Sequence, residues 1–161
     1  MAFTITEACN GCGACVKFCP VGAIHGEKQE VYVIEDVLCI ECGACGRICP
    51  VEAVRDQFGK QCVRIKKSEW EKPIFDYEKC ISCTICLDSC PVGCLDLTHV
   101  PNSKDPHGYP FMEDEKACIG CGFCALECPT DAITMIAPEG DRKSTRLNSS
   151  HLPRSRMPSS A

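Results

Sequence analysis

The sequence predicts a small α+β protein written as two tandem copies, each of short strands and short helices around loops of cysteine. Three observations carry this expectation. Cysteine supplies 18 of 161 residues, while aromatic residues supply only 6%. Sixteen of those cysteines fall into one pattern that is written four times, as CNGCGACVKFCP at 9–20, CIECGACGRICP at 39–50, CISCTICLDSCP at 80–91 and CIGCGFCALECP at 118–129. The apolar–polar alternations AFTIT, VYVIE, PIFDY and YPFME precede the four motifs in turn.

The elements of each repeat follow in order. Each alternation reads as a strand. The cysteine loop then feeds a turn or two of helix, and the endings VGAI, VEAV, VGCL and TDAI return as a second strand. Between the first three cysteines stand mostly small residues, among them Gly11, Gly13, Ala14, Gly43 and Ala44. They let backbone N–H groups approach the sulfurs closely. The fourth cysteine lies four residues on, about one helical turn, so it faces away from its own loop. A proline directly after it stops the helix.

Dense thiols have few uses. A disulfide scaffold needs an oxidising compartment. The opening MAFTITEACN has neither a basic start nor a run of apolar residues of the kind that directs secretion. No stretch approaches the roughly 18 apolar residues of a membrane span. The expectation is therefore a cytoplasmic protein with reduced thiols, in which such spacing means metal. A cubane [4Fe–4S] cluster offers four iron corners, each taking one thiolate, and three cysteines at i, i+3 and i+6 can curl one loop around three of them. Zinc ribbons also use paired C-x2-C elements. They need neither the third cysteine nor the C-P ending, so a structural zinc protein is a remote alternative.

At this density the chain resembles the bacterial two-cluster ferredoxin family, and twice over. Residues 1–58 resemble one complete ferredoxin-like dicluster domain, residues 73–137 a second, and 59–72 read as a linker. The resemblance implies four [4Fe–4S] clusters with an exchanged fourth ligand. Cys9, Cys12, Cys15 and Cys49 would hold the first, and Cys39, Cys42, Cys45 and Cys19 the second. Cys80, Cys83, Cys86 and Cys128 would hold the third, and Cys118, Cys121, Cys124 and Cys90 the fourth. In some four-cluster subunits the outer motifs pair together and the inner two pair together. Here motifs one and two start 30 residues apart and motifs three and four 38 apart, with the charged stretch RDQFGKQCVRIKKSEWEKP between the pairs. That arrangement favours tandem pairing.

The departures from the pattern fall mostly in the second copy. Gly13, Gly43 and Gly122 follow the second cysteine of their motifs, but motif three has Thr84, followed by Ile85, Leu87 and Asp88. A β-branched residue tolerates positive φ poorly, so the third cluster is the candidate for unusual potential or lability. Cys94 aligns with Ala23, Ala53 and Ala132 and reads as a small buried residue. Cys62 reads as packed on a domain edge, His25 as a solvated turn residue, and Trp70 as packing the linker on a domain. His99 and His107 lie in THVPNSKDPHGYP, an insertion that is either a docking surface or an idle loop.

After Gly140 the segment DRKSTRLNSSHLPRSRMPSSA has no apolar period. It resembles the in-frame translation of a sequencing adapter, so 138–161 reads as disordered and 141–161 as non-native. That tail holds five of the 17 basic residues and one of the 22 acidic ones, which leaves 12 basic and 21 acidic side chains and a formal net of −9 on residues 1–140. Each oxidised cluster adds about two more negative charges. Such acidity excludes nucleic acid as a partner and suits a basic docking face on a redox enzyme. With no nucleotide fingerprint and no hydrolytic triad, the chain reads as an electron carrier and not an enzyme in its own right. The alternative is an electron-transfer subunit of a larger anaerobic oxidoreductase complex.

Overall fold

The computed structural model describes residues 2–99 and 107–138. The proposed non-native tail and the PNSKDP part of the insertion lie outside those residues. Leading strands stand where the alternations place them. β1 (Thr4–Ile5) precedes the first cysteine loop, and the return strand β2 (Ile24–His25) follows it. β3 (Val33–Ile34) and β4 (Val54–Arg55) flank the second loop. β5 (Lys72–Phe75) and β6 (Leu95–Thr98) flank the third, and β7 (Tyr109–Met112) and β8 (Ile133–Ile136) the fourth.

Among the described residues all strand pairing is antiparallel. β1 pairs with β4 and β2 with β3; in the second half β5 pairs with β8 and β6 with β7. The leading strand of each motif is thus joined to the return strand of the other motif in its half. Four equivalent backbone hydrogen bonds repeat the exchange. Thr6 N–H donates to Ala53 O, Glu35 to Ala23 O and Asp76 to Ala132 O, each at 2.8 Å, and Glu113 donates to Cys94 O at 3.0 Å. Motif one is therefore stitched to two, and three to four.

Four short helices carry the cysteines. These are α1 (Ala14–Phe18), α2 (Ala44–Ile48), α3 (Ile85–Asp88) and α4 (Phe123–Leu126), each holding the third cysteine of its motif. All four begin after a residue in the left-handed region. Gly13 and Gly43 have φ 70°, Gly122 has 80° and Thr84 has 61°. Three glycines adopt this conformation without steric cost, and Thr84 adopts it with a side chain attached.

Among the described residues the core is assembled in three places. In the first half Phe3, Ala23, Ile24, Tyr32, Ile34, Ala53 and Val54 pack with Cys15, Cys45 and Cys49. In the second, Leu95 and Ile133 pack with Cys86, Cys94, Cys118 and Cys124. Buried cysteines make up much of both cores, as expected of domains too small to bury enough hydrocarbon. A third cluster lies between the halves, where Ala44, Trp70 and Ile119 are buried against Phe18, Ile48, Ile65 and Val92. Trp70 is only 1% exposed, donates its indole N–H to Ile65 O at 3.0 Å, and meets the Phe18 ring edge-on at 5.7 Å. It packs against both halves at once.

The stretch read as a linker is partly built into the fold. Gln61 bridges Arg55 beside β4, and Cys62 N–H donates to Val54 O at 2.9 Å. Lys67–Glu69 form one 3-10 turn and Lys72 already belongs to β5. His25 sits in β2 opposite Val33, not in a turn, because the apolar return strand runs one residue further. Its Nε2 lies 3.3 Å from Glu35 Oε2. Among the described residues no helix is long and apolar enough to cross a membrane.

Candidate metal centres

The left-handed residue before each helix reverses the chain so that the third cysteine returns beside the first two. At the other end of motifs one, two and four, the residue four positions after the fourth cysteine directs its N–H back at that sulfur. Ala23 N–H donates to Cys19 Sγ at 3.2 Å, Ala53 to Cys49 Sγ and Ala132 to Cys128 Sγ, both at 3.3 Å. Gly11 N–H donates to Cys9 Sγ at 3.4 Å. Such donors stabilise thiolate charge and tune a cluster bound to it.

The chain brings the exchanged fourth cysteine to the other motif's loop. One cavity is lined by Cys80, Cys83 and Cys86 of motif three together with Cys128 of motif four. Another is lined by Cys39, Cys42 and Cys45 of motif two with Cys19 of motif one. The walls are otherwise mostly apolar, with Phe75, Ile81, Pro110 and Ile133 beside Thr84 and Thr130 around the first and Phe3, Ile24, Ile34 and Ile40 around the second. Cys124 interacts electrostatically with Cys121, Cys118 and Cys90, which gathers the predicted fourth set. Of the first set, Cys15 interacts with Cys9 and Cys12, while Cys49 lies in the same buried cluster as Cys15.

Burial pushes the Cys15 and Cys86 thiols up to about 11 and Cys124 up to about 12, with neighbouring thiols adding to the rise. Burial also raises Cys45, Cys42 and Cys121. Iron bound by these cysteines would take up their thiolate forms, so that assembly would release protons. The donor set suits a cubane, because soft thiolates line an apolar wall and backbone N–H groups point at the sulfurs. Among the described residues no three ionisable ligands converge tightly enough to chelate a single ion. A cubane spreads four thiolates over four irons and asks for a wider ring.

Sequence reasoning missed two residues that seal the loops. Tyr32 covers Gly13, where an added Cβ would lie 3.3 Å from the phenol oxygen, and Phe3 covers Gly43 at 3.5 Å. Each stands directly before the leading strand of the partner motif, and their signal was the alternation within AFTIT and VYVIE. Cys94 is buried as expected, but its Sγ also lies 3.5 Å from Cys90 Sγ. The Cys94 and Cys118 thiols also interact, which raises Cys94 and lowers Cys118. Cys62 packs against α2, where a Cβ added at Gly46 would meet its Cβ at 2.6 Å. Burial and the nearby Asp56 push the Cys62 thiol up to about 11. Among the described residues the histidines lie outside these sets.

The 4Fe-4S dicluster domain family matches residues 8–53 and 79–132. A second 4Fe-4S dicluster domain model matches 38–95, across motifs two and three. No curated protein matches the chain. Among solved structures, one match is a chain of the formate dehydrogenase–heterodisulfide reductase–formylmethanofuran dehydrogenase complex from Methanospirillum hungatei. That match has 24% identity and a TM-score of 0.33, and it covers 80% of this chain and 52% of that one. The chain thus spans about half the length of the protein it matches.

Proposed function

We propose that the chain, which belongs to the 4Fe-4S dicluster domain family, transfers electrons through four [4Fe–4S] clusters held by exchanged cysteine sets. The ligands would be Cys9, Cys12, Cys15 and Cys49; Cys39, Cys42, Cys45 and Cys19; Cys80, Cys83, Cys86 and Cys128; and Cys118, Cys121, Cys124 and Cys90. The observation that carries this reading is the cavity in which Cys128 of motif four joins the three loop cysteines of motif three. A cubane supplies a one-electron couple with little rearrangement, while the protein supplies thiolates, N–H donors and an apolar wall.

The four stitching hydrogen bonds support two dicluster domains, 1–58 and 73–137, joined by 59–72. The net negative charge supports a carrier that docks on a basic face of redox enzymes, which we read as cytoplasmic and of low potential. A second reading, an electron-transfer subunit of an anaerobic oxidoreductase complex, is favoured by the packed seam at Trp70, which joins the halves as one wire-like unit. Anaerobic purification with iron, sulfide and zinc analysis tests the cluster assignment. About 16 irons and as many sulfides per chain is the expected content for four cubanes. Zinc in place of iron would refute it. A subunit that co-purifies through salt and size exclusion would decide for the complex over the free carrier.

A further inference from the structure

Arg47 lies on α2 between two predicted ligands, yet its guanidinium reaches out of its own half. Nη1 donates to Gly120 O in motif four at 2.8 Å, and Nη2 donates to Cys42 O in motif two, also at 2.8 Å. Nε reaches Gly43 O at 3.4 Å, and the group stands 5.2 Å from the centre of the Trp70 ring. One cation therefore holds the second and fourth cysteine loops together. Gly120 shows how tight the contact is. A Cβ there would lie 2.8 Å from Glu71 O and 3.2 Å from Arg47 Nη1. At the equivalent places in motifs two and three, Glu41 and Ser82 carry side chains at the same positive φ, 57° and 54°. The backbone alone does not demand glycine at 120; the seam does.

The second cysteine of each motif sorts the four sites. Cys12 and Cys83 are exposed, whereas Cys42 and Cys121 are partly covered. Both covered thiols pack on the Ala44, Trp70 and Ile119 cluster and interact electrostatically across it. Sites two and four thus face inward at the seam, and sites one and three turn a cysteine toward solvent at either end.

We propose that electrons cross between the two halves at the Cys42–Cys121 seam, so that the sites act in the order first, second, fourth, third, with Arg47 positioned to tune the second and fourth together. This rests on the cluster ligation proposed above. Each crossing oxidises one side of the seam by one electron and reduces the other; no bond breaks and no proton moves. The cation lowers the energy of added negative charge on both sides, so its removal makes both harder to reduce. The exposed Cys12 and Cys83 loops are then the places where donor and acceptor meet the chain.

The test uses the full chain loaded anaerobically, with Arg47→Met and Arg47→Lys. Iron content is measured first, then the potential of each site by EPR-monitored titration. Cys→Ser changes at Cys12, Cys42, Cys83 and Cys121 assign one signal each. In Arg47→Met the second and fourth signals shift together to lower potential, with the first and third unmoved. Arg47→Lys, which keeps the charge but not the two-sided bridge, shifts the same pair less and serves if the methionine variant fails to load. A shift confined to the second site, or none, with iron retained, overturns the seam proposal. A wild-type chain with iron well short of four clusters defeats the ligation beneath it, and the proposal falls with it.

Discussion

The two halves solve one problem with different amounts of sheet. In the first, every strand is two residues long, whereas in the second every strand has four. The first half instead closes its loops with Phe3 and Tyr32 against Gly43 and Gly13. The second half contains Thr84 in the left-handed region and Cys94 in place of alanine. The left-handed turns, the exchanged strands and the cysteine positions are the same in both. Thiol placement, not sheet length, is the constant part of the design, and extra sheet accompanies the less regular loops.

The largest expected effect removes what the halves share. Chelating the iron should unfold both, because neither core closes without its cysteines bound. The far-UV CD and amide dispersion would both collapse. If the second half kept dispersed amides, its longer strands would be a stabilising unit in their own right and the comparison would sharpen into one of stability. Next in size is Trp70→Ala, which removes about 3–5 kcal/mol of packing from the seam. It should speed loss of cluster colour in denaturant from both halves together. Loss from one half alone would mean that the indole serves only that half.

Gly120→Ala against Ser82→Ala contrasts equivalent loop positions. Overpacking against Glu71 O should cost about 1–3 kcal/mol at 120 and nothing measurable at 82. The readout is the rate of cluster bleaching. Thr84→Gly should relieve about 1–2 kcal/mol of left-handed strain and slow bleaching of the third cluster. An unchanged rate would show that the threonine sits there without strain. The smallest effect is expected from Cys94→Ala, which makes motif three like the other repeats. It should leave the iron content intact and lower the potential of the fourth site, by removing the thiol that interacts with Cys118.

The motif spacing and alternations made the cysteine loops, the leading and return strands and the proline-ended helices legible, because each depends on local chemistry within a dozen residues. Thr84 stood out for the same reason, since positive φ is a property of one residue. The sealing roles of Phe3 and Tyr32 were not legible, because each acts on the loop of its partner motif and needs the exchanged strands to reach it. Arg47 was less visible still. Nothing in GACGRICP marks it out, and only the packing of α2 against the fourth loop turns it across the seam. His25 was misplaced because GEKQE made its surroundings look like a turn, while Ile24 beside it was already buried in β2.

The central claim is that four exchanged cysteine sets hold four redox-active cubanes. The most direct test is to reduce the anaerobically purified chain with dithionite and count EPR spins. About four spins per chain, broadened by coupling between neighbouring clusters, is the result expected of four [4Fe–4S] sites. No spin, with zinc found where iron was expected, would contradict the account.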